Sequence, residues 1–351
     1  MKLQPNFEGT GKENIDLRTL PIPEAPDSIR KRFENAEWKK IPIREEINES
    51  PKQLEVIPNR FNPDGVMAWP AYYKTVMEEH EHDDHPKGFG ELAEAIEGGI
   101  QTSPLVKVRN EVKERLDRAQ RTLNTNPDTS HLQLVVVDGY RRIDVQGKLF
   151  NAYSQYVKKE HPELSGDALI TEARKMVSEA PADPEILRKS PPPHSTGGAV
   201  DVVLVSKDKI DTTSDYWLHD AMVPFGARFD EMMNPDYRDE RSETTFYEKK
   251  LADGAELNAA DREALENRRM LYHAMKDVGF SNFFTEFWHY DFGNQFNALA
   301  SEKSEAEFGF AGGIGDGTIN EDLAAERASF EKYAAAQGKE EAERVKHHFG
   351  L

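Results

Sequence analysis

The sequence predicts an α+β domain in which one sheet collects three strands and helices pack on one side of it. Helical and strand patterns alternate along the chain in the order helix, strand, helices, strand, helix, strand, which is typical of this class. Two apolar, β-branched runs of strand length, Leu132–Asp138 and 198–205, indicate buried strands.

The helices are predicted where apolar side chains recur every three or four positions. The clearest segment covers 104–123, and a long helix over 257–279 is expected to end at Gly279. Further helices are predicted over 142–156 and 165–177, with helical pieces in 66–97. The strand at 198–205 contains Asp201, and a buried aspartate needs a partner or a bound cation. The aromatic-rich segment 283–292 predicts a third strand.

The chain divides into three predicted regions. Residues 1–60 are polar and rich in proline, and we expect an extended N-terminal arm with a short helix near 28–37. Residues 61–304 form the body, in which 181–193 is a proline-rich connector. Residues 305–351 are predicted to be a linker and a helical tail.

Composition excludes several classes of function. The 351 residues include no cysteine, so any metal site must use His, Asp and Glu. A net charge of −19 argues against binding to nucleic acid or to an anionic membrane surface. The first residues lack an apolar leader, and no apolar run is long enough for a membrane span, so we expect a cytoplasmic rather than a periplasmic protein.

Two motifs carry residue types that bind metal ions. In the first, His194 precedes Asp201, and Gly197 and Gly198 between them allow a sharp turn that could bring the two together. A solvated loop histidine followed by an ordinary strand aspartate is the alternative interpretation. In the second motif, Glu286 lies three residues before His289.

Positions three apart on a regular strand face opposite ways, so Glu286 and His289 can share a site only across a bulge or a strand start. Two histidines, an aspartate and a further glutamate match the composition of a hydrolytic zinc centre. Arg141, at the end of the first strand, could stabilise a developing oxyanion, although a surface arginine is the simpler interpretation.

These motifs together resemble the VanX-type D-alanyl-D-alanine dipeptidases. The three shared patterns occur in the family's order and are DGYR (138–141), HSTGGAVD (194–201) and EFWH (286–289). The family belongs to the LAS group of zinc peptidases, named for lysostaphin, D-Ala-D-Ala metallopeptidases and the Hedgehog domain. The resemblance covers roughly residues 100–300 and implies the LAS fold, with a single central, mainly antiparallel sheet.

The resemblance also implies residue roles and a substrate. His194, Asp201 and His289 would hold one Zn²⁺ per chain, with Glu286 as general base and acid and Arg141 on the oxyanion. Asp230 would meet the substrate ammonium, and the remaining substrate-side residues would be Tyr140, Asp138 and Trp288. The substrate would be the small cell-wall dipeptide D-Ala-D-Ala, which is cut to D-alanine.

Two positions depart from the family pattern. Arg142 stands where proline is usual, so the catalytic arginine could be Arg141 or Arg142, and we favour Arg141 because it follows Tyr140 directly. Pro192 stands where the family has a substrate-holding serine. Two alternatives stay open, a LAS-group D,D-carboxypeptidase acting on peptidoglycan stem peptides and a non-catalytic zinc- or protein-binding module. The run HEHDDH at 80–85 resembles another zinc motif, but its charged helical context favours a solvated loop.

Overall fold

The structure of the protein is a computed structural model that describes residues 16–44, 52–59, 61–69, 105–175, 177–210, 217–227 and 240–313, together with residues 328 and 332. In these ranges no helix is long and apolar enough to cross a membrane. Asp230, the histidine-rich run at 80–85 and nearly all of the predicted tail helix lie outside the described residues.

The described strands form two sheets rather than one. The strands are β1 Glu55–Val56, β2 Met67–Ala68, β3 Lys107–Val108, β4 Leu132–Asp138, β5 Ala199–Ser206, β6 Ser281–Asn282 and β7 His289–Asp291. The central sheet has the order β2-β4-β5-β7-β6, while β1 and β3 form a separate antiparallel pair. Only the β2–β4 pairing in the central sheet is parallel. The mixed α+β class is confirmed, and β4, β5 and β7, from the three segments predicted to be strands, lie in one sheet. The separate pair of β1 and β3 was not predicted.

The described helices pack in several apolar clusters, of which the largest includes the central sheet. The helices are α1 Asp27–Glu34, α2 Asn110–Thr125, α3 Ile143–Glu160, α4 Gly166–Ala173, α5 Pro184–Lys189, α6 Trp217–Ala221, α7 Phe246–Ala252, α8 Ala259–Asp277 and α9 Gln295–Ala300. Helices α2 and α8 contact each other and bury apolar side chains in the same cluster as β4 and β5. Every residue of β5 from Ala199 to Val205 is buried, so both faces of this strand are covered.

Two predicted helix segments begin with strands. The segment 104–123 was expected to be helical throughout, but Lys107–Val108 pairs with Glu55–Val56, and α2 begins only at Asn110. Likewise Met67–Ala68, at the start of the predicted helical pieces, pairs with β4. Helical periodicity failed in both places because the pairing partner lies far away in the sequence. Helix α8 ends as expected, before Gly279, whose φ of +95° few other residues adopt.

The predicted third strand over 283–292 is wrong for its first six residues. Ser281–Asn282 and His289–Asp291 pair as two short antiparallel strands, and residues 283–288 turn between them. The carbonyl of Phe283 accepts a hydrogen bond from the Glu286 amide at 2.9 Å, which closes the turn. This turn places Glu286 immediately before the start of β7.

The segments expected to be irregular contain short helices. Helix α5 lies inside the proline-rich connector, where the Asp183 side chain caps it by accepting from the Glu185 amide, and Pro184 occupies its first turn. The N-terminal segment is not simply extended, since it contains α1 and two short 3-10 helices, Leu17–Thr19 and Glu37–Lys40. The predicted domain boundaries remain predictions.

Candidate metal centre and active site

Three adjacent strands bring the predicted site residues into one row. Asp201 on β5 is the register partner of His289 on β7 and of Asp138 at the end of β4. The pairing of β4 with β5 shifts between Val136 and Asp138, and this irregularity sets Asp138 opposite Asp201. Residues separated by more than sixty positions in the chain therefore lie side by side.

His194 reaches the same row from a tight turn before β5. Residues His194–Thr196 form a 3-10 turn that ends at Gly197, whose φ of +69° turns the chain into the strand. The ring Nδ1 of His194 lies 2.8 Å from the carbonyl oxygen of Gly139. Since a carbonyl only accepts hydrogen bonds, Nδ1 carries the proton, and the lone pair of Nε2 is left available for a metal ion.

The donor atoms of His194, Asp201 and His289 converge on one point. His194 Nε2 lies 3.2 Å from His289 Nδ1, and Asp201 oxygens lie 2.9 Å from His289 Nδ1 and 3.5 Å from His194 Nε2. Three ligands at tetrahedral angles around zinc are separated by about 3.3 Å when each bond is about 2.0–2.1 Å long. The three residues are buried, and their donor set fits a divalent metal ion.

Charge around the cluster also favours a cation. Four carboxylates, those of Asp138, Asp201, Glu286 and Asp291, lie at ion-pair distance from one or both imidazoles. Burial alone would raise the pKa of Asp201, but the adjacent His194 and His289 outweigh it and hold that pKa well below its usual range. Buried carboxylates at this density need compensating positive charge, which a metal ion would supply.

Glu286 stands beside the cluster without belonging to it. Its Oε2 lies 3.8 Å from His289 Nδ1, and the residue is 8% exposed. The sequence required a bulge or strand start to bring these two residues together, and the turn before β7 provides the strand start. The Asn282 side chain holds the turn, because its Nδ2 donates to the backbone carbonyls of Glu286 and His289 at 2.9 and 3.0 Å. Glu286 is thus positioned to exchange protons with a group bound at the cluster.

The two candidate arginines point to different partners. Arg141 donates from Nε to Asp138 Oδ2 at 3.1 Å and from Nη1 to Gln146 Oε1 at 2.9 Å. The same Asp138 oxygen lies 3.6 Å from His194 Nδ1, so Arg141 belongs to the row. Arg142 instead makes two hydrogen bonds to Asp144 in the first turn of α3. This geometry favours Arg141 over Arg142.

The remaining predicted residues have different surroundings. Tyr140 donates its backbone amide to the Lys107 carbonyl at 2.7 Å, which fixes the strand end that carries Arg141. Trp288 is buried in the main core with its ring packed edge-on against Phe287, so it supports the turn before β7 from the core side. The role of Asp230 stays a prediction, since this residue is outside the part of the chain that the structure describes.

Asp291 is a site residue that the sequence did not reveal. Its Oδ2 lies 3.3 Å from His289 Nε2, on the side of the ring opposite the cluster. The Asn294 side chain donates to Asp291 Oδ1 at 2.6 Å and holds the carboxylate in place. Burial by itself lowers the pKa of His289, but Asp291 and Asp201 raise it well above the usual 6.5. An acidic residue two positions after the histidine was a signal available in the sequence, because strand residues two apart share a face.

A mixed α+β domain with a buried His, Asp, His donor set and an adjacent glutamate is typical of metal-dependent hydrolases. A family model described as D-ala-D-ala dipeptidase, of peptidase family M15, matches residues 100–306, more than half of the chain and including every described residue of the site. The chain belongs to this family and is a metallodipeptidase. A D-alanyl-D-alanine dipeptidase of Synechocystis sp. is 28% identical over 200 residues, which cover 55% of this chain and 71% of that relative.

Proposed function

We propose that this protein hydrolyses D-Ala-D-Ala to D-alanine with one zinc ion held by His194, Asp201 and His289. The observation that carries the proposal is the convergence of three donor atoms within 2.9–3.5 Å of one another, with Glu286 beside them. The LAS-type fold is part of the same proposal, and the mainly antiparallel central sheet supports it.

Each residue has a defined chemical task in this proposal. Zinc, when bound, acidifies a water molecule and polarises the scissile carbonyl. Glu286 takes the proton from the attacking water and returns it to the leaving amine. Arg141, held by Asp138 and Gln146, faces the charge that develops on the carbonyl oxygen. The Asp291 carboxylate, 3.3 Å from His289 Nε2, favours a proton on that nitrogen, so that Nδ1 keeps its lone pair for the metal.

Two observations, the burial of the site and the position of Glu286, favour a dipeptidase over the two alternatives. His194, Asp201, Glu286 and His289 are all buried, which suits a small substrate better than a long stem peptide. A non-catalytic module would not need a glutamate at 3.8 Å from a ligand nitrogen. The Asp230 carboxylate is proposed to meet the free amine of the dipeptide.

D-Alanine release tests the proposal directly. The zinc-loaded protein is incubated with D-Ala-D-Ala, with L-Ala-L-Ala and with a stem pentapeptide ending in D-Ala-D-Ala, before and after chelation and zinc return. We expect D-alanine to be released from D-Ala-D-Ala and from neither of the other two peptides. This release should be lost on chelation and restored by zinc. Faster release from the pentapeptide would favour the carboxypeptidase, and no release from any peptide would contradict hydrolysis.

Replacing Arg141 is expected to affect catalysis much more than replacing Arg142. Arg141→Ala should lower kcat/KM by about 100-fold to 1000-fold, because a positioned donor to the oxyanion is lost from a water-poor site. Arg142→Ala is the matched control, since its guanidinium is paired with Asp144. It should lower thermal stability and leave kcat/KM within a few-fold. The reverse pattern in steady-state kinetics would assign the role to Arg142.

Asp291→Asn is expected to weaken zinc binding by about 10-fold to 100-fold at pH 8, because the carboxylate that orients His289 becomes a neutral amide. Competition with a chromogenic chelator measures the affinity. Asp208→Asn, the same change at an exposed aspartate after β5, should leave zinc affinity unchanged. Equal affinity in the Asp291 variant and the native protein would remove Asp291 from the site.

Zinc affinity is expected to rise with pH between 6 and 8. Burial lowers the pKa of His289, but Asp291 and Asp201 outweigh burial and raise it well above 6.5, so in the metal-free protein the ring keeps its second proton to a higher pH than an ordinary histidine does. Zinc must displace that proton, and affinity therefore changes by up to about tenfold per pH unit below the raised pKa. Chelator competition at pH 6, 7 and 8 measures the slope. A flat profile would contradict the protonated ring.

A further inference from the structure

The N-terminal segment, residues 16–44, precedes the family match at 100–306 but contacts the matched domain at both ends and through α1. Its first part is held by side chains of the body. The Arg269 guanidinium donates to the Arg18 carbonyl at 3.0 Å, and the Glu248 carboxylate accepts from the Ile22 amide at 2.9 Å. Arg269 and Glu248 also pair with each other, which makes this anchor a connected network.

The last part of the segment is held by the backbone. Arg44 donates its amide to the Ala306 carbonyl at 2.8 Å, and the Ala306 amide donates to the Pro42 carbonyl at 2.9 Å. The Gln295 side chain of α9 donates to the Ile41 carbonyl at 2.6 Å. Both ends of the segment are thus fixed, and the helix between them has a defined place.

That helix, α1, packs against the aromatic side chains next to the candidate active site. The ring of Phe33 makes edge-on contacts with Phe283, Phe284 and Phe296, at centroid distances of 5.7, 5.7 and 5.1 Å. The Arg30 guanidinium lies 4.5 Å from the centroid of the Phe284 ring. Contacts of these kinds contribute beyond apolar burial, because the ring faces are negative and the ring edges are positive.

Phe283 and Phe284 begin the turn that carries Glu286. The Phe283 carbonyl accepts from the Glu286 amide at 2.9 Å, and its ring lies edge-on to the His289 ring at 5.9 Å. On the other side of the turn, the Thr244 amide donates to the Phe284 carbonyl at 3.1 Å. Phe33 is therefore one contact away from both the proposed base and a proposed metal ligand.

We propose that residues 16–44 are a functional part of the active site, with Phe33 as a positioning residue for the turn that holds Glu286 and His289. The inference rests on the proposed function for the roles of those two residues. The turn is short, and it must place the Glu286 carboxylate by the substrate and the His289 ring by the metal at the same time. A small displacement of the turn is therefore expected to reduce catalysis strongly. An N-terminal segment that only braced the fold would affect stability and leave the site unchanged.

Phe33→Ala in the full chain tests the inference. We expect kcat to fall at least about tenfold with KM within twofold, because the variant misplaces reacting groups without removing a substrate contact. The visible absorption spectrum of the cobalt-loaded variant is expected to change, since it reports ligand geometry independently of turnover. Phe33→Tyr keeps the aromatic ring and should show the native kcat and the native cobalt spectrum. Val157→Ala, in the separate α3–α4 cluster, should lower thermal stability without changing either.

Two outcomes overturn the inference. In the first, Phe33→Ala loses thermal stability but keeps the native kcat and cobalt spectrum. If Phe33→Ala does not fold, Arg30→Ala decides, with an expected loss in kcat of about threefold and an altered cobalt spectrum. If Arg30→Ala then keeps the native kcat and the native cobalt spectrum, the inference is overturned. A native protein that releases no D-alanine would overturn the proposed function alone, since the cobalt spectrum still tests the N-terminal segment.

Discussion

Glu286→Ala is expected to abolish hydrolysis while zinc stays bound near one ion per chain. The glutamate lies 3.8 Å from His289 Nδ1 and outside the converging donor set, so in the proposed mechanism its loss would remove proton transfer and leave the three proposed ligands in place. A residue that acts first as general base and then as general acid contributes about 10²-fold to 10⁴-fold, and kcat should fall by a factor in that range. Metal analysis and steady-state kinetics on the same preparation give both numbers.

Glu243→Gln is a suitable control for this experiment. Glu243 lies in the neighbouring segment and pairs with Lys249, so its carboxylate is engaged away from the cluster. Its replacement should change kcat by less than threefold, within the range of a surface substitution. Loss of zinc from Glu286→Ala would reassign Glu286 as a ligand, and retained activity would exclude it as the base.

Asp201→Ala is expected to remove both zinc and activity. In the proposed site the Asp201 carboxylate is one of the three metal ligands, and both imidazoles approach it, at 2.9 and 3.5 Å. Without it, two ring nitrogens remain 3.2 Å apart with no anion between them. Zinc content after dialysis should fall to background, and D-alanine release should fall below detection.

The same variant should lose stability in the metal-free form. Removing one partner of a buried ion pair costs about 3–5 kcal/mol, and Asp201 is fully buried. The pKa of Asp201 is lowered, so its stabilising effect is present above the unfolded pKa of about 3.9 and is lost as the pH falls further. Urea unfolding at pH 7 in the presence of chelator measures the difference.

Asp144→Ala provides the matched control for Asp201. Asp144 is a partly buried aspartate paired with Arg142, and it lies outside the converging donor set. Its variant should keep zinc and turnover and lose only stability. A variant of Asp201 that still binds zinc stoichiometrically would contradict the proposed ligand set.

Local patterns predicted the strands and helices whose signal lies within one segment. Leu132–Asp138 and the strand beginning at Ala199 were visible as β-branched runs, and the long helix before Gly279 as an apolar period. The strands β1, β2 and β3 were missed because each is two residues long and exists only through pairing with a distant segment. The aromatic run at 283–292 satisfied strand propensity, but its first six residues form a turn held by hydrogen bonds from Asn282 and to Ser242.

The sequence by itself determined the chemistry of the site. Without cysteine, the metal donors had to come from His, Asp and Glu, and the order of His194, Asp201, Glu286 and His289 along the chain resembles that of the family. The tertiary structure alone decided how those groups meet. Sheet register sets Asp138, Asp201 and His289 side by side, Asp291 approaches the far side of the His289 ring, and α1 packs on the turn of Glu286. Spacing along a chain encodes which side chains share one element, whereas contacts between elements depend on packing that no local period records.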